Sequence, residues 1–581
     1  MTTTADLFVD LLVQAGVQRV YGIVGDSLNA FSDAVRRRGG SAEGGLDWVH
    51  VHNEEAAAFA ASAEAQLTGR LAVCAGSCGP GNTHLVQGVM DAHRSGAPVL
   101  AIASHITTAQ IGTGFFQETR PRDLFAQASH YCEEVTSPAQ LERRVRLALQ
   151  NALGKGGAAV LVVPGDVLAA DAPDPVGLGS VVQAPPQVVP AAAELDELAE
   201  RIGAAEKVAV FVGIGAAGAR EDVLALARRL HAPVGHSLRG KDVFGYDNPY
   251  DVGMNGLLGY GGCYRALHEA DLVLLLGTDF PYDDFLPGAR TVQVDRDPAR
   301  LGRRTPLVQG VAADVGATVR GLLERLPQRT GTAFLDEAVQ HTEKAVDGRL
   351  AAYTGEGQHG GPVHPELVAT VLDELMDDDA VVTADTGMCC TWTARYLTPN
   401  GSRRFIGSWV HGSMANALPM AIGAQVSHPG RQVVSFSGDG GLAMLLGELL
   451  TVKLHRLPTK VVVFNNASLG MVRLEMLVAG DPPFGTDHEP VDYAAVAAGA
   501  GFFTRRVERA EDLRAAVAEV LAHDGPALLD VVTTADAMSV PPHLTAAEAK
   551  GFALSMGKVV LDGGIGEAVR LARTNLKLAR P

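Results

Sequence analysis

Three doubly wound parallel-sheet α/β domains followed by a C-terminal helical tail are the architecture this sequence predicts. Length is the first reason: 581 residues, 47% of them hydrophobic, suffice for several separate cores. The second is a recurring alternation of short β-branched runs, glycine-bearing turns and alanine- or leucine-rich helical stretches, which specifies parallel sheets with crossover helices. The third is one stretch, residues 431–471, RQVVSFSGDGGLAMLLGELLTVKLHRLPTKVVVFNNASLGM, where strand, glycine turn, helix and second strand follow one another. The expected boundaries are 1–180, 181–340 and 341–541 for the domains and 542–581 for the tail.

In the N-terminal third, a helix over Ala5–Ala15 leads to the strand VQRVYGIV, which ends in Gly25-Asp26-Ser27. LDWVHVH is the next strand and runs straight into Asn53-Glu54-Glu55 and the alanine-rich AAAFAASAEAQ. LAVCAG, the turn Ser77–Asn82, the helix THLVQGVMDAHRSG and the strand PVLAIAS complete the alternation. Glu54 stands at a strand-to-helix turn, where a carboxylate is ordinarily favoured by the helix dipole. Its flanks, Val51, the alanines and Phe59, are apolar, and such surroundings disfavour the ionised form and predict a carboxyl protonated near neutrality. The loop GTGFFQETRPRDLF places two adjacent aromatics between glycines, either as a cap on the core or as a pocket wall. A proline-rich linker, APDPVGLGSVVQAPPQVVP, follows.

The middle third contains Gly213-Ile214-Gly215-Ala216-Ala217-Gly218 between a strand and a helix, a GxGxxG spacing. A nicotinamide site needs an acid about twenty residues on, at the end of the next strand. Here that position reads His236-Ser237-Leu238-Arg239, so the glycines are expected to serve tight turning and helix–strand packing. DVGMNGLLGYGG, DLVLLLGTDFPYDDF and TVQVDRDPARLG then supply loops after strands, each carrying exposed polar groups. A polar helical linker, 337–353, leads to the last domain. There DAVVTADTGMCCTW puts Asp385-Thr386-Gly387 at a strand end, and Gly412-Ser413-Met414 precedes another helix. In the 431–471 stretch, Gly438-Asp439-Gly440-Gly441 and Asn465-Asn466 fall on the C-terminal edge of a parallel pair, the edge at which open α/β sheets bind ligands. The glycines admit an anionic group, a helix opening at Leu442 aims free N–H groups at it, and Asp439 and Asn466 offer hard oxygens suited to Mg²⁺ shared with a diphosphate.

Composition narrows the class. A formal net charge of −18 argues against nucleic acid as a partner and against a generally basic, membrane-seeking surface. MTTTADLFVDLLVQAG reads as an amphipathic helix with no leader pattern, and no apolar run has the length of a membrane span. Cys74, Cys78, Cys132, Cys263, Cys389 and Cys390 show no CxxC pairing, as expected of buried thiols in a reducing compartment. A soluble cytosolic protein is predicted.

GDG, an interval of about two dozen residues, and NN after a strand resemble the signature of thiamin-diphosphate (ThDP) enzymes. HNEEAAAFAASAEAQ, AVCAGSCGPGNTHL and YGIVGDSLN are similar to the pyrimidine-binding domain of the pyruvate oxidase and acetolactate synthase group. The resemblance runs in order along the whole chain. It implies that 1–180 binds the aminopyrimidine, that 181–340 is a central FAD-binding domain and that 341–541 holds the diphosphate. By it Glu54 is the activating carboxylate, with Gly25 and Asp26 beside the same ring, and Glu55 is a helix residue. Phe116 and Gln117 of the FQE loop and Glu475 become pocket residues around the reacting substrate. Gly412, Ser413 and Met414 touch ThDP, Met414 as the prop that bends it, and Asp439, Gly440, Gly441, Asn466, Leu469, Gly470 and Met471 complete its seat. Asp439, Asn466 and the backbone carbonyl of Ser468 hold Mg²⁺. FAD contacts fall to Asn255, Gly256, Leu257, Leu258, Thr278, Asp279, Phe280, Pro281, Tyr282, Asp295 and Asp314.

The activity so implied is oxidative decarboxylation of pyruvate to acetate and CO₂, with electrons passing through FAD to a quinone. In this family the site is shared between subunits, so a homo-oligomer, a dimer of dimers, is expected. The tail resembles that of quinone-dependent pyruvate dehydrogenases. Val569, Ala572 and Leu576 share one helical face, with Arg570, Arg573, Lys577 and Arg580 as a local basic excess. This suits reversible docking on the inner face of a membrane; packing on its own subunit is the other reading. Met471 departs from the aromatic residue of the quinone-linked enzymes and matches acetolactate synthases, whereas Leu474 and Glu475 do not match the Gln and Trp of those synthases. Carboligation of 2-oxo acids with a non-redox FAD, and oxygen as acceptor, therefore stand as alternatives.

Overall fold

The structure, a computed structural model, describes residues 2–179, 186–288, 290–348, 350–355, 362–539, 541, 546–561 and 565–575. The N-terminal sheet comprises β1 (Arg19–Gly22), β2 (Asp47–His50), β3 (Ala72–Gly76), β4 (Val99–His105), β5 (Tyr131–Glu134) and β6 (Ala158–Pro164), in the order β2-β1-β3-β4-β6-β5. All its pairings are parallel. The central strands AVCAG, VLAIASH and AAVLVVP are buried from end to end, as sheets covered on both faces by helices require. YCEE, at the edge, is only half-buried.

The middle sheet is built from β7 (Val208–Val212), β8 (Val234–His236), β9 (Asp251–Met254), β10 (Tyr260–Gly261), β11 (Leu272–Leu276), β12 (Thr291–Asp295) and β13 (Leu307–Ala312). Its order is β10-β9-β8-β7-β11-β12-β13, with the short edge strand β10 antiparallel, a departure from the all-parallel expectation. The strand order reverses between β7 and β11, so the loops after these two strands meet at the switch point. The GxGxxG glycines serve that meeting: a Cβ on Gly213 or Gly215 would lie 2.6 or 2.8 Å from the carbonyl oxygen of Gly277. Gly218 faces open space. The polar segment expected as a linker forms the helix Ala333–Gly348, with Leu335 and Ala338 buried, Ala338 within the middle-domain core.

The C-terminal sheet comprises β14 (Val381–Ala384), β15 (Arg404–Gly407), β16 (Val433–Gly438), β17 (Lys460–Asn465), β18 (Phe503–Val507) and β19 (Ala527–Val532), all parallel, in the order β15-β14-β16-β17-β19-β18. This repeats the strand order of the N-terminal domain. The crossover between β16 and β17 differs from the expected single helix opening at Leu442. It is two short helices, Asp439–Met444 and Glu448–Leu454, and the first begins at Asp439 itself.

The two outer domains are joined through the helices Glu54–Thr68 and Ala417–Ser427. Eleven residues of the first helix are buried, because the sheet covers one side and the second helix the other. A Cβ on Gly423 would stand 2.1 Å from the Ala60 carbonyl oxygen, so small residues on both helices bring the backbones into contact. In the tail, the helix Ala546–Leu561 lies against the helix Gly470–Ala479, Lys558 Nζ donating to Gly480 O at 2.7 Å and Ser555 Oγ to Asp481 O at 2.8 Å. The helix Ile565–Thr574 follows, with Leu571 buried and Asn575 Nδ2 donating to Asp536 O at 2.7 Å. The described tail thus packs on its own chain. Val569 and Ala572 are exposed and Arg570 Nε stands 3.6 Å from Asp536, while Leu576, Lys577 and Arg580 lie outside the described residues. Among the described residues no helix is long and apolar enough to cross a membrane.

Candidate active site

The C-terminal edges of the two outer sheets gather the candidate residues into two separate groups. On the N-terminal domain, Glu54 opens its helix after the cap Asn53, whose Oδ1 accepts from the Glu55 amide at 2.9 Å. Glu54 is 6% exposed, but its surroundings are not wholly apolar as expected: His84 Nδ1 lies 3.0 Å from its Oε2. Ser27 ties the loops together. Its hydroxyl lies 2.7 Å from the Ser104 hydroxyl and accepts from the Cys78 amide at 3.0 Å, and Gly25 and Asp26 precede it. Gln117 reaches the same edge, its Oε1 3.4 Å from Cys78 Sγ, with a left-handed φ of 64°. Phe116 is 77% exposed. All six cysteines are free thiols.

On the C-terminal domain a cavity of about 340 Å³ opens at the ends of β14, β16 and β17. Asp439, Gly440, Gly441, Asn466, Ser468, Leu469, Gly470, Met471 and Glu475 line it, with Gly412 and Met414 from the loop before the helix Ala417–Ser427. Ser413 is buried beside them without lining the cavity, its Oγ accepting from Gln87 Nε2 at 2.8 Å. Asp439 is 3% exposed; Oδ1 accepts from the Gly440 amide at 2.8 Å and Oδ2 from the amides of Asn466 at 3.0 Å and Ala467 at 2.5 Å. Burial pushes its carboxyl above the usual range, against these hydrogen bonds and the imidazole of His488, whose Nε2 stands 3.2 Å from Oδ2. Ala467, at φ 52°, turns the chain so that the Asn466 and Ala467 amides both meet the same carboxylate oxygen. The strand-like segment 486–488 pins that loop: Leu469 N donates to Thr486 O at 2.7 Å and Ser468 Oγ to Asp487 Oδ1 at 2.9 Å. A carboxylate, an amide oxygen and a backbone carbonyl form an all-oxygen donor set, which fits Mg²⁺.

Gly441 has a steric reason of its own. A Cβ there would lie 2.2 Å from Asp385 Oδ2, an oxygen that is buried without a hydrogen-bond partner beside the equally unpartnered Thr386 hydroxyl. Burial pushes Asp385 up to about 7, against the hydrogen bond its Oδ1 accepts from the Ala417 amide, which suits a group able to donate to an anionic oxygen. Met414 Cε lies 3.6 Å from a Cβ built on Gly440, so its thioether overhangs the glycine turn.

The middle domain sends Leu257, Leu258 and Tyr282 to the same cavity. Its other candidates lie elsewhere. Asn255 is buried with Oδ1 unpartnered, and Thr278 and Asp295 are buried at the sheet edge, where desolvation raises Asp295. Gly256 has φ 96°, Pro281 is exposed, and Asp314 is half-buried at the start of the helix Val315–Leu323. The carboxylate of Asp279 is held by Arg303 at 2.9 Å and Arg304 at 3.3 Å, and the ring of Phe280 packs on Phe211 at 5.1 Å in the core, so both side chains are engaged within the protein. Neither Glu54 nor the Phe116–Gln117 loop lines the cavity. Asp385, His488 and His84 escaped residue-level assignment from sequence; only Asp385, in ADTG at a strand end, carried a local signal.

Comparison with known proteins accounts for this arrangement. Models of the thiamine pyrophosphate enzyme N-terminal TPP-binding, central and C-terminal TPP-binding domains match residues 2–126, 195–322 and 385–531. A putative thiamine pyrophosphate-containing protein, YdaP, of Bacillus subtilis is 35% identical over 96% of this chain and 96% of its own length. A pyruvate oxidase of Lactiplantibacillus plantarum is 29% identical over 91% of this chain and 88% of its own, and a probable chloroplastic acetolactate synthase 2 of Oryza sativa 31% identical over 91% and 82%. The chain belongs to the thiamine pyrophosphate enzyme family.

Proposed function

We propose that the protein binds ThDP, Mg²⁺ and FAD and oxidatively decarboxylates pyruvate to acetate and CO₂, handing electrons to a quinone. The observation that carries this reading is the shared cavity: the diphosphate and metal candidates face Leu257, Leu258 and Tyr282 of the central domain across one space. Bound ThDP supplies the electron sink for loss of CO₂, and FAD the two-electron acceptor. Asp439, Asn466 and Ser468 hold the metal, Gly440 and Gly441 admit the diphosphate, and Met414 props the coenzyme. Glu54, with His84 against its carboxyl, holds and returns the proton at the aminopyrimidine. Glu475 and Gln117 move protons near the substrate, while Phe116 and Met471 shape its space and exclude water. Asn255–Leu258, Thr278 and Asp295 hold FAD together with the backbone of 279–282 and Asp314.

Because Glu54 and Gln117 lie outside the cavity of their own chain, they serve the cavity of a second copy, in a dimer of dimers. Cytoplasmic placement, with reversible contact between the tail and an anionic membrane face, belongs to the same reading. Anaerobic addition of pyruvate tests it: the flavin should bleach, and a quinone analogue should restore its colour faster than air. An unbleached flavin with acetolactate formed would establish the carboligase reading, which Met471 favours; faster recovery in air would establish oxygen as acceptor.

A further inference from the structure

The segment Asp439–Leu454 serves two places at once. Its first residue is the carboxylate of the metal loop; its second helix opens at Glu448, which faces the N-terminal domain of the same chain. Glu448 is 1% exposed, and among the described residues no cation pairs with it. Instead its carboxylate accepts from the backbone amide of His52 at 3.1 Å and from Thr451 Oγ1 at 2.6 Å. Thr451 Oγ1 in turn lies 2.7 Å from His52 Nδ1. Ala56, one turn further on, packs with Ala415 and Leu445. Every one of these contacts grips the turn between β2 and the helix that Glu54 opens.

The two carboxylate oxygens accept from different donors, Oε1 from the His52 amide and Oε2 from the Thr451 hydroxyl, and a carboxamide, with a single acceptor oxygen and an NH2 in place of the other, would lose one of these bonds. Burial pushes Glu448 up to about 7, opposed by the hydrogen bonds it accepts, while the nearby Glu54 pushes it further up. We propose that Glu448 is a positioning residue for Glu54: by holding the His52 amide and, through Thr451, the His52 ring, it fixes the turn from which the Glu54 carboxyl meets the aminopyrimidine. The inference rests on the proton-transfer role assigned to Glu54. It makes one segment answerable both for the metal loop of its own cavity and for the carboxyl proposed to serve the other copy.

Three variants, Glu448→Gln, Glu448→Asp and Glu54→Gln, test it. In the protein without coenzyme, hydrogen–deuterium exchange of a peptide spanning His52 and Asn53 should quicken in Glu448→Gln. In the holoenzyme, exchange of the ThDP C2 proton, read by NMR after acid quench, should slow by about 10- to 100-fold, the loss expected when a reacting group is misplaced by a fraction of an ångström. ThDP affinity and KM for pyruvate should hold while kcat falls, and Glu448→Asp should recover part of the rate. Slow C2 exchange in Glu54→Gln with a wild-type rate in Glu448→Gln would overturn the positioning role alone. A wild-type rate in Glu54→Gln would overturn the assignment of Glu54 and this proposal with it. Should Glu448→Gln fail to fold, unchanged amide protection and C2 exchange in Glu448→Asp would overturn the proposal.

Discussion

The two outer domains share one strand order and put it to opposite uses. Both present loops at the C-terminal edge of a six-stranded parallel sheet. On the C-terminal domain those loops close over a cavity of about 340 Å³ in which Asp385 and Asp439 are almost wholly buried and their carboxyls pushed up. On the N-terminal domain they stay open, with Phe116 exposed and Gln117 held in a left-handed turn beside Cys78. Topology therefore decides where a ligand goes, whereas loop chemistry decides which part of it each edge takes. A buried carboxylate and a glycine turn suit a metal-bound anion; a buried carboxyl at a helix start, with an imidazole against it, suits a neutral ring delivered by a second surface.

Substitutions can break this contrast from either side. Glu54→Gln should lower turnover by about 10²- to 10⁴-fold, the range for loss of a positioned proton-transfer group, with ThDP still bound; steady-state kinetics beside coenzyme titration would check it. Asp439→Ala should abolish Mg²⁺-dependent retention of ThDP on gel filtration, because the loop's single carboxylate is removed. Gly441→Ala drives a methyl onto Asp385 and should cost about 1–3 kcal/mol in denaturant unfolding, as well as coenzyme affinity. Asp385 gives a pH test. Its folded carboxyl titrates at about 7 against an ordinary value of 3.8, so the native state holds a proton the unfolded chain releases. The Asp385 contribution to the stability of the coenzyme-free protein should be full below about 3.8 and be lost as pH rises through about 7, so Asp385→Asn should remove that component from the difference between wild-type and variant thermal unfolding. The smallest effect belongs to Gln117→Gly, which should stabilise by about 1 kcal/mol by relieving the left-handed strain, while impairing turnover.

The same contrast explains what the sequence disclosed. Continuous apolar runs and glycine turns made all three sheets legible, because parallel strands and their phosphate-facing loops are encoded by neighbours in the chain. The candidate metal loop stood out in the sequence for the same reason: GDG and NN close a single crossover unit. The partners that tune it did not. His488 reaches Asp439 from a segment 49 residues on, Asp385 meets Gly441 across two strands, and Glu448 grips a turn in another domain. Such pairings come from tertiary packing, and no local period announces them. Asp279 and Phe280 show the converse: residues in a well-placed loop whose side chains pair with arginines or enter the core.

The backbone contact between Gly423 and Ala60 has a mechanical consequence. Two helices in touch without intervening side chains leave no lubricating layer, so the outer domains of one chain behave as a welded body rather than as jaws. A methyl at position 423 would act as a wedge, felt at both sheet edges together.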